Sequence, residues 1–234
     1  MPARNSLKQY ISDSYYHIYN RGVEKRLIFL DEQDYGVFLS YLKEYLSFRD
    51  EKKLSDKLSD RELPYKEREK ILRILKLNNF FHEITLLAYC LMPNHLHLFV
   101  KQKGALSIDQ FIQSLATRYT MYFNKKYKRV GSLYQGAYKA ILVETDAQFV
   151  YLSKYIHKQS IIHNPSLGTK GQTLRIWKQP SSYPEYLGKR RTEWIHPEEV
   201  LSHFSKINAK LSYKSFVEEK DDFSVIENKT LEDY

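Results

Sequence analysis

Residues 86–100 read LLAYCLMPNHLHLFV, two apolar runs that meet at a Pro-Asn turn. This pattern predicts two strands joined at Met92-Pro93-Asn94. Because successive side chains of a strand point to opposite faces of the sheet, His95 and His97 share one face and Leu96 lies on the other. One face of the second strand can therefore bind a metal ion while the other packs on a hydrophobic core.

The histidine pair alone does not define a metal site. A histidine in a strand is more often a half-buried structural residue than a ligand. Two histidines also leave a divalent ion under-coordinated. A third ligand must come from elsewhere in the chain, so the pair can be interpreted only together with a second segment.

The charge of the chain favours a polyanionic partner. The 234 residues carry a formal net charge of +9 and include 20 tyrosines. A basic surface alone fits an anionic membrane as well as a nucleic acid. Aromatic side chains interspersed with Lys and Arg, however, can stack on unpaired bases while the cations hold phosphates. Single-stranded nucleic acid is therefore the favoured partner.

Cysteine content and hydropathy indicate a soluble intracellular protein. The single cysteine, Cys90, lies within an apolar run, where a core position in a reducing compartment is expected. The first ten residues are polar and charged and resemble no secretory signal. No apolar run approaches the roughly 20 residues that span a bilayer. We therefore expect a cytoplasmic location and no membrane partner.

The first half of the chain reads as a strand, a helix and a charged insertion. Aromatic and β-branched residues predict a strand at 15–22. Asp34 is expected to cap the helix that follows, because apolar residues recur after it at helical spacing. Residues 48–80 are heavily charged with an amphipathic end, and they predict a helical insertion ahead of the histidine segment.

The second half continues the alternation. Ser107 is expected to cap a helix, and a glycine-punctuated loop then leads into a strand within 131–144. A further helix is predicted at 147–160, opened by Thr145 or Asp146. The order of strands and helices predicts a compact α+β domain and permits a ferredoxin-like sandwich.

Two regions are expected along the chain. Residues 1–165 form the predicted catalytic domain, and residues 166–234 form a C-terminal extension. Apolar positions at 200–204 and at 213–217 predict two short helices in this extension. The polar tail 218–234 is predicted to be disordered.

The predicted helix at 147–160 supplies a candidate nucleophile and a candidate ligand. Tyr155 and Gln159 are four residues apart, so their side chains leave the helix on the same side. A tyrosine hydroxyl can act as a covalent nucleophile, and an amide oxygen is an acceptable ligand for a hard metal ion. If this helix packs against the histidine strand, His95, His97 and Gln159 can together hold Mg²⁺ or Mn²⁺.

These residue types suit attack on a phosphodiester. A divalent ion neutralises the phosphate charge and polarises the P–O bond. A phenol with an ordinary pKa of about 10 must lose its proton during attack, and a nearby cation stabilises the phenolate. The resulting phosphotyrosine conserves the bond energy for rejoining, whereas a metal-bound hydroxide would give simple hydrolysis. Strand transfer and ordinary metal-dependent nuclease activity are thus both open at this point.

Four sequence strings resemble the IS200-like single-tyrosine (Y1) transposases, and most of all their REP-associated branch. The strings are YHIYNRG at 16–22, LMPNHLHL at 91–98, GSLYQGAYK at 131–139 and KYIH at 154–157. Similarity to the family extends over most of residues 15–217. The His-x-His string followed by a tyrosine helix, in this order, is a specific signature.

The resemblance implies a ferredoxin-like HUH endonuclease fold with an antiparallel sheet, a helical insertion and a C-terminal helical extension. It implies that His95 and His97 are metal ligands, that Gln159 is the third ligand, and that Tyr155 forms a 5′-phosphotyrosine and leaves a 3′-hydroxyl. Such enzymes cleave and rejoin single-stranded DNA beside hairpins without ATP. They act in DNA transposition or REP-element mobilisation, at the nucleoid of the bacterial cytoplasm. IS200-type relatives are dimers and the REP-associated branch can work as a monomer, so a homodimer stays open.

Polar and basic residues near predicted loops and helix ends are the candidate DNA contacts: Arg21, Lys25, Arg26, Arg118, Lys125, Lys126, Lys128, Arg129, Gln135 and Lys139. The competing hypothesis is a non-catalytic protein that binds hairpins or single-stranded nucleic acid. In that case the histidines are structural and Tyr155 belongs to the core.

Overall fold

The structure is a computed structural model that describes residues 10–161 and 179–219. The predicted boundary at residue 165 lies outside these residues, and so does the predicted disordered tail 218–234 except for residues 218 and 219, of which Glu218 ends a helix. Within the two described ranges, no helix has the length and apolar character required to cross a bilayer.

Four strands form one antiparallel sheet. They are β1 (Ser14–Arg21), β2 (Ile84–Met92), β3 (His95–Gln102) and β4 (Lys139–Val143). Their spatial order is β2-β3-β1-β4, and every neighbouring pair is antiparallel. Since one helical connection separates β1 from β2 and another separates β3 from β4, the chain follows the β-α-β-β-α-β order of a ferredoxin-like sandwich. The predicted α+β fold is confirmed.

Helices α1 (Glu32–Leu46) and α4 (Ser107–Lys126) cover one face of the sheet. They form the larger hydrophobic core with the sheet residues whose side chains point to this face. Fully buried members of this core include Ile18, Leu98, Val100, Phe38, Phe111 and Tyr119. As the strand alternation predicts, Leu96 belongs to this core, and the histidines of β3 point to the opposite face.

The predictions that Asp34 and Ser107 cap the two helices on this face were wrong. Helix α1 begins at Glu32 because the side chain of Asp31 accepts a hydrogen bond from Asp34 N (3.0 Å). Asp34 itself is fully buried inside the first turn, where its carboxylate accepts a hydrogen bond from Leu30 N (2.8 Å). Helix α4 begins at Ser107, whose hydroxyl donates to Glu83 (2.8 Å) rather than capping the helix.

The charged insertion contains the helices that its sequence predicts. Helix α2 (Glu51–Leu58) and helix α3 (Tyr65–Lys76) lie within residues 48–80. The Arg49 guanidinium fastens the end of α3 by donating to the carbonyl oxygens of Ile74 (2.9 Å) and Leu77 (2.8 Å). Only Ile71 of these two helices is buried, so the insertion contributes little to the core.

Helix α5 (Asp146–Ser160) covers the other face of the sheet. Thr145 caps it by accepting a hydrogen bond from Gln148 N (3.2 Å), as one of the two predicted caps. Its apolar side joins a second hydrophobic cluster with Leu87 and Phe99 of the sheet. Three short helices of the C-terminal part pack on the same cluster: α6 (Tyr183–Tyr186), α7 (Glu198–Leu201) and α8 (Tyr213–Glu218).

The C-terminal part also continues the sheet beyond its outer strand. Leu91 N donates to Pro180 O (2.9 Å), and Ser182 N donates to Tyr89 O (3.1 Å). These bonds pair backbone groups of β2 that would otherwise line an open sheet edge. Residues 179–219 therefore share a core with the preceding part of the chain, and the division at residue 165 stays a prediction.

Candidate functional site

The candidate site lies between α5 and the end of the sheet at which β3 begins. The rings of His97 and Tyr155 meet edge to face, with centroids 5.5 Å apart and planes at 89°. His97 is fully buried and Tyr155 is 2% exposed. The fold thus brings the predicted nucleophile helix onto the predicted histidine face within a single chain.

The hydrogen bonds of the histidine pair leave ring nitrogens available. His95 Nδ1 lies 2.6 Å from Asn94 Oδ1, and since that oxygen only accepts, Nδ1 donates and Nε2 keeps its lone pair. His97 Nδ1 bonds to His17 Nε2 at 2.9 Å. His97 Nε2 is buried and has no hydrogen-bond partner within residues 10–161 and 179–219.

An unpartnered buried nitrogen costs about 1–3 kcal/mol unless something binds it. Imidazole nitrogens are common ligands of divalent ions, so a metal ion bound to His97 Nε2 would remove this cost. The donor set of the two histidines therefore fits a divalent metal.

The electrostatics of the site favour neutral histidines. Burial, with the nearby Arg21 charge, lowers the pKa of His95 to about 4. Burial also lowers the pKa of His97 well below its ordinary value, and His17, His95 and Arg21 add to this shift. Both rings are thus uncharged near pH 7, which is the form that binds a metal.

A third ligand is not supplied by another acidic, cysteine or histidine side chain. Among the described residues, no group of three His, Cys, Asp or Glu side chains is placed to hold a metal ion. Gln159 lies one turn after Tyr155 on α5 and is half-buried, and no hydrogen bond joins it to either histidine. Its role as a ligand stays a prediction.

A tight loop after β1 borders the site. Arg21 pairs with His95 across the sheet. The loop then folds back so closely that a Cβ at Gly22 would lie 2.3 Å from Arg26 O, which requires glycine at this position. Hydrogen bonds from Gly22 N to Asn94 O (2.8 Å) and from Ile28 N to Pro93 O (2.7 Å) hold the loop against the turn that precedes His95.

A second loop joins the first at this end of the sheet. Val23 N donates to Leu133 O (3.0 Å), and Gln135 N donates to Arg21 O (2.9 Å). Burial and the charge of Arg26 lower the pKa of Arg129, so these two cations are neighbours. Five predicted DNA contacts therefore border the histidine end of the sheet, and we call them the loop rim: Arg21, Lys25, Arg26, Arg129 and Gln135.

Arg118 and Lys126 lie between α1 and α4, within the layer that covers the opposite face of the sheet. The Arg118 guanidinium pairs with Glu44 (2.7 Å). Lys126 pairs with Asp31 (2.7 Å) and Asp34 (2.8 Å). The other predicted contacts are exposed at the end of α4, in the following turn and at the start of β4: Lys125, Lys128 and Lys139.

Sequence patterns assigned no role to His17. It is fully buried beside His97, with ring centroids 5.2 Å apart. Strand alternation does place it on the histidine face, but only the strand order reveals that β1 lies next to β3. The sequence alone could therefore not show that His17 contacts His97.

His157, the last residue of the KYIH string, is a buried residue with both ring nitrogens hydrogen-bonded. Its Nδ1 bonds to Tyr213 Oη (2.6 Å) and its Nε2 to Ser182 Oγ (2.8 Å). Burial lowers the pKa of His157 to about 3. The side chain thus fastens α5 to the C-terminal part.

Solved structures similar to this chain include the two that follow. One is a REP-associated tyrosine transposase bound to a REP hairpin, with 11% identity, a TM-score of 0.47, and coverage of 82% of this chain and 91% of that one. The other is a proposed transposase of Deinococcus radiodurans R1, with 14% identity, a TM-score of 0.35, and coverage of 66% and 97%. No curated protein matches the sequence.

The family comparison covers the site itself. The model of the family described as "Transposase IS200 like" matches residues 61–159. This range includes the histidine pair, Tyr155 and Gln159, together with β2, β3, α4 and β4 and most of α5. Residues 61–159 of this chain are therefore similar to the IS200-like transposase family.

Proposed function

We propose that this protein cleaves and rejoins single-stranded DNA beside a hairpin through a tyrosine nucleophile, as an enzyme of DNA transposition or REP-element mobilisation. One observation carries the proposal: the ring of Tyr155 packs on His97, whose Nε2 is buried and unpartnered. A tyrosine nucleophile beside a buried histidine nitrogen that can bind a metal ion, in a chain with a region similar to IS200-like transposases, is the arrangement that such a reaction needs.

In the proposed reaction, the Tyr155 oxygen attacks the phosphorus of a phosphodiester. A P–O bond to tyrosine forms, and the bond from phosphorus to the 3′ oxygen breaks. The phenol proton is released, the departing 3′ oxygen takes up a proton, and a 5′-phosphotyrosine remains. Attack by another 3′-hydroxyl reverses these changes and joins the strands without ATP.

Mg²⁺ or Mn²⁺ held by His95, His97 and Gln159 would neutralise the phosphate charge and polarise the reacting P–O bond. The protein side of the site is suited to this task because both histidines are neutral near pH 7. Gln159 adds an uncharged oxygen, so the site does not place a further anion beside the phosphate.

We propose that the DNA enters along the loop rim. His95 is only partly buried and lies opposite Arg21 in the register of strands β3 and β1. The Arg21 Nε is buried and has no hydrogen-bond partner among the described residues. Lys25 and Arg26 lie on the loop that is hydrogen-bonded to the Pro93-Asn94 turn, so a phosphate approaching His95 meets positive charge. Arg118 and Lys126 are left out of this set, since their charges are paired between α1 and α4.

The site is proposed to work within one chain, because Tyr155 already contacts the histidine it would serve. A homodimer is therefore not needed to assemble the reacting groups.

The test uses a labelled single-stranded DNA hairpin with Mn²⁺, analysed on a denaturing gel. We expect a covalent protein–DNA adduct that disappears in Tyr155→Phe and persists in Tyr151→Phe. Tyr151 is a matched control because it lies one turn earlier on α5 and packs on Phe216 instead. Cleavage that survives in Tyr155→Phe without any adduct would indicate a simple metal-dependent nuclease. Salt-sensitive binding without cleavage would indicate a binding protein.

A further inference from the structure

We propose that His97 Nδ1 donates its hydrogen bond to His17 Nε2, so that His17 is a positioning residue that directs the lone pair of His97 Nε2 toward a divalent ion. The inference rests on the proposed function, since it takes His97 to be a metal ligand. It gives a role to a residue of the YHIYNRG string for which the sequence patterns predicted none.

The geometry fixes both rings. His17 Nε2 lies 2.9 Å from His97 Nδ1, and both side chains are fully buried. The two rings stack with centroids 5.2 Å apart and planes at 16°. Tyr19 lies 4.9 Å from the His17 ring and Tyr155 lies 6.0 Å from it, centroid to centroid. Aromatic neighbours from both β1 and α5 therefore restrict rotation of the His17 ring.

The bonding around His97 selects one tautomer. A neutral imidazole carries one N–H, on Nδ1 or on Nε2. With the proton on Nε2, a buried N–H would have no acceptor among the described residues. With the proton on Nδ1, His17 accepts the hydrogen bond and Nε2 presents a lone pair. Binding of a metal ion to Nε2 favours the second arrangement, in which the other ring nitrogen donates to a fixed acceptor.

His95 shows the same arrangement with a different acceptor. Its Nδ1 donates to Asn94 Oδ1, which leaves Nε2 for a ligand bond. Both members of the pair therefore have an acceptor on Nδ1. Asn94 comes from the adjoining turn, whereas His17 comes from the neighbouring strand, which makes β1 part of the metal site.

Two variants separate hydrogen bonding from packing. His17→Phe keeps a flat ring but has no acceptor, whereas His17→Gln keeps an amide oxygen at about the reach of Nε2. Loss of a hydrogen-bond partner of a ligand typically lowers metal affinity about 10- to 100-fold. We expect that loss in His17→Phe and a change of less than about threefold in His17→Gln.

The first measurement is calorimetric titration of the full-length protein with Mn²⁺, without DNA. His203→Phe is the control, since His203 is exposed on the surface after α7 and does not belong to the group formed by His17, His95 and His97. It should leave the Mn²⁺ dissociation constant unchanged. Wild-type affinity in a folded His17→Phe would overturn the proposal, as would a His17→Gln variant that binds as weakly as His17→Phe.

The second measurement is ¹⁵N NMR of the histidine rings in the metal-free protein. We expect His97 to carry its proton on Nδ1 in the wild-type protein and in His17→Gln, and to become a mixture of tautomers in His17→Phe. A wild-type His97 protonated on Nε2 overturns the proposal. This measurement decides whether His17 orients His97 even if the wild-type protein binds no Mn²⁺. Failure of the wild-type protein to bind Mn²⁺ would instead contradict the metal dependence of the proposed function. If His17→Phe does not fold, the wild-type tautomer and His17→Gln decide.

Discussion

Two buried histidines lie at helix α5, His157 on the helix itself and His97 on the strand that faces it, and their hydrogen bonding differs. His157 lies on α5 itself and has both ring nitrogens bonded, to Tyr213 and to Ser182. His97 lies on β3, packs on Tyr155, and has one nitrogen bonded and one without a partner among the described residues. Both side chains are fully buried, so burial alone does not distinguish them.

Hydrogen bonding, rather than burial, separates a structural histidine from a candidate functional one. A structural histidine compensates for its burial by using its full hydrogen-bonding capacity, as His157 does. A site that retains an unpaired buried nitrogen loses stability, and such a loss is commonly found where a ligand completes the bonding. The comparison therefore predicts opposite consequences for two otherwise similar substitutions.

The largest expected effect is that of His97→Leu on DNA cleavage. Because His97 is proposed to bind the metal ion, its removal should lower divalent-dependent cleavage by about a hundredfold or more. The free energy of unfolding should change by less than about 1 kcal/mol, because two effects oppose each other. The variant removes one unpaired buried nitrogen, which raises stability, and it removes the hydrogen-bond partner of His17 Nε2, which lowers stability. Gel assays and urea unfolding measure the two quantities. Strong destabilisation with unchanged cleavage would reverse the assignment of the two histidines.

His157→Leu should show the opposite pattern. It leaves the buried Tyr213 hydroxyl and Ser182 hydroxyl each short of one partner, so we expect a loss of about 2–4 kcal/mol in the free energy of unfolding. Cleavage per folded molecule, measured below the unfolding transition, should stay within about threefold of wild type. A loss of cleavage as large as in His97→Leu, in a protein that is still folded, would show that His157 serves the reaction.

The stability of the protein should depend on pH through His157. The pKa of His157 is about 3 in the folded state and about 6.5 in an unfolded chain, so the unfolded state takes up the proton first. Its contribution to stability is complete above about pH 6.5 and is lost as the pH falls toward 3, by at most about 1.4 kcal/mol per pH unit. The stability difference between wild type and His157→Leu should therefore shrink between pH 6.5 and 4. A difference that stays constant in urea unfolding over this range would show that His157 is not held neutral.

The smallest effect concerns the loop rim. Lys25→Ala removes one exposed cation beside the histidine turn, so the slope of log K against log salt for single-stranded DNA should decrease by about 0.7. Lys70→Ala on α3 is the control, since Lys70 is exposed on the charged insertion, away from the rim. Fluorescence anisotropy at several salt concentrations measures both. Equal changes in the two variants would place the DNA elsewhere.

Much of the fold follows from local patterns. The turn at Pro93-Asn94 and the alternation of β3 predict both strands and the faces of their side chains, because a strand has a period of two. The helical spacing in α5 likewise places Tyr155 and Gln159 on one side. The two wrong caps, Asp34 and Ser107, have polar side chains that bond elsewhere in the fold. Local sequence carries no information about such distant partners.

The site was predictable to the extent that its groups lie on single elements. The histidine pair and the tyrosine helix could be identified from spacing and from family resemblance. The bond from His17 to His97 joins residues 80 positions apart in the sequence. It depends on the order β2-β3-β1-β4, which no short segment encodes. The same limit applies to Arg118, whose pairing with Glu44 requires α1 and α4 to pack side by side.

The backbone bonds between residues 180–182 and β2 have a consequence for how the protein can be shortened. A chain cut after residue 161 would lose the partners of the Leu91 amide and the Tyr89 carbonyl, together with the apolar side chains of α6, α7 and α8 that pack on the second cluster. An exposed strand with an apolar face is a template for pairing with further copies. The C-terminal part thus covers an edge that could otherwise pair with other copies of the chain, and a fragment without it should aggregate.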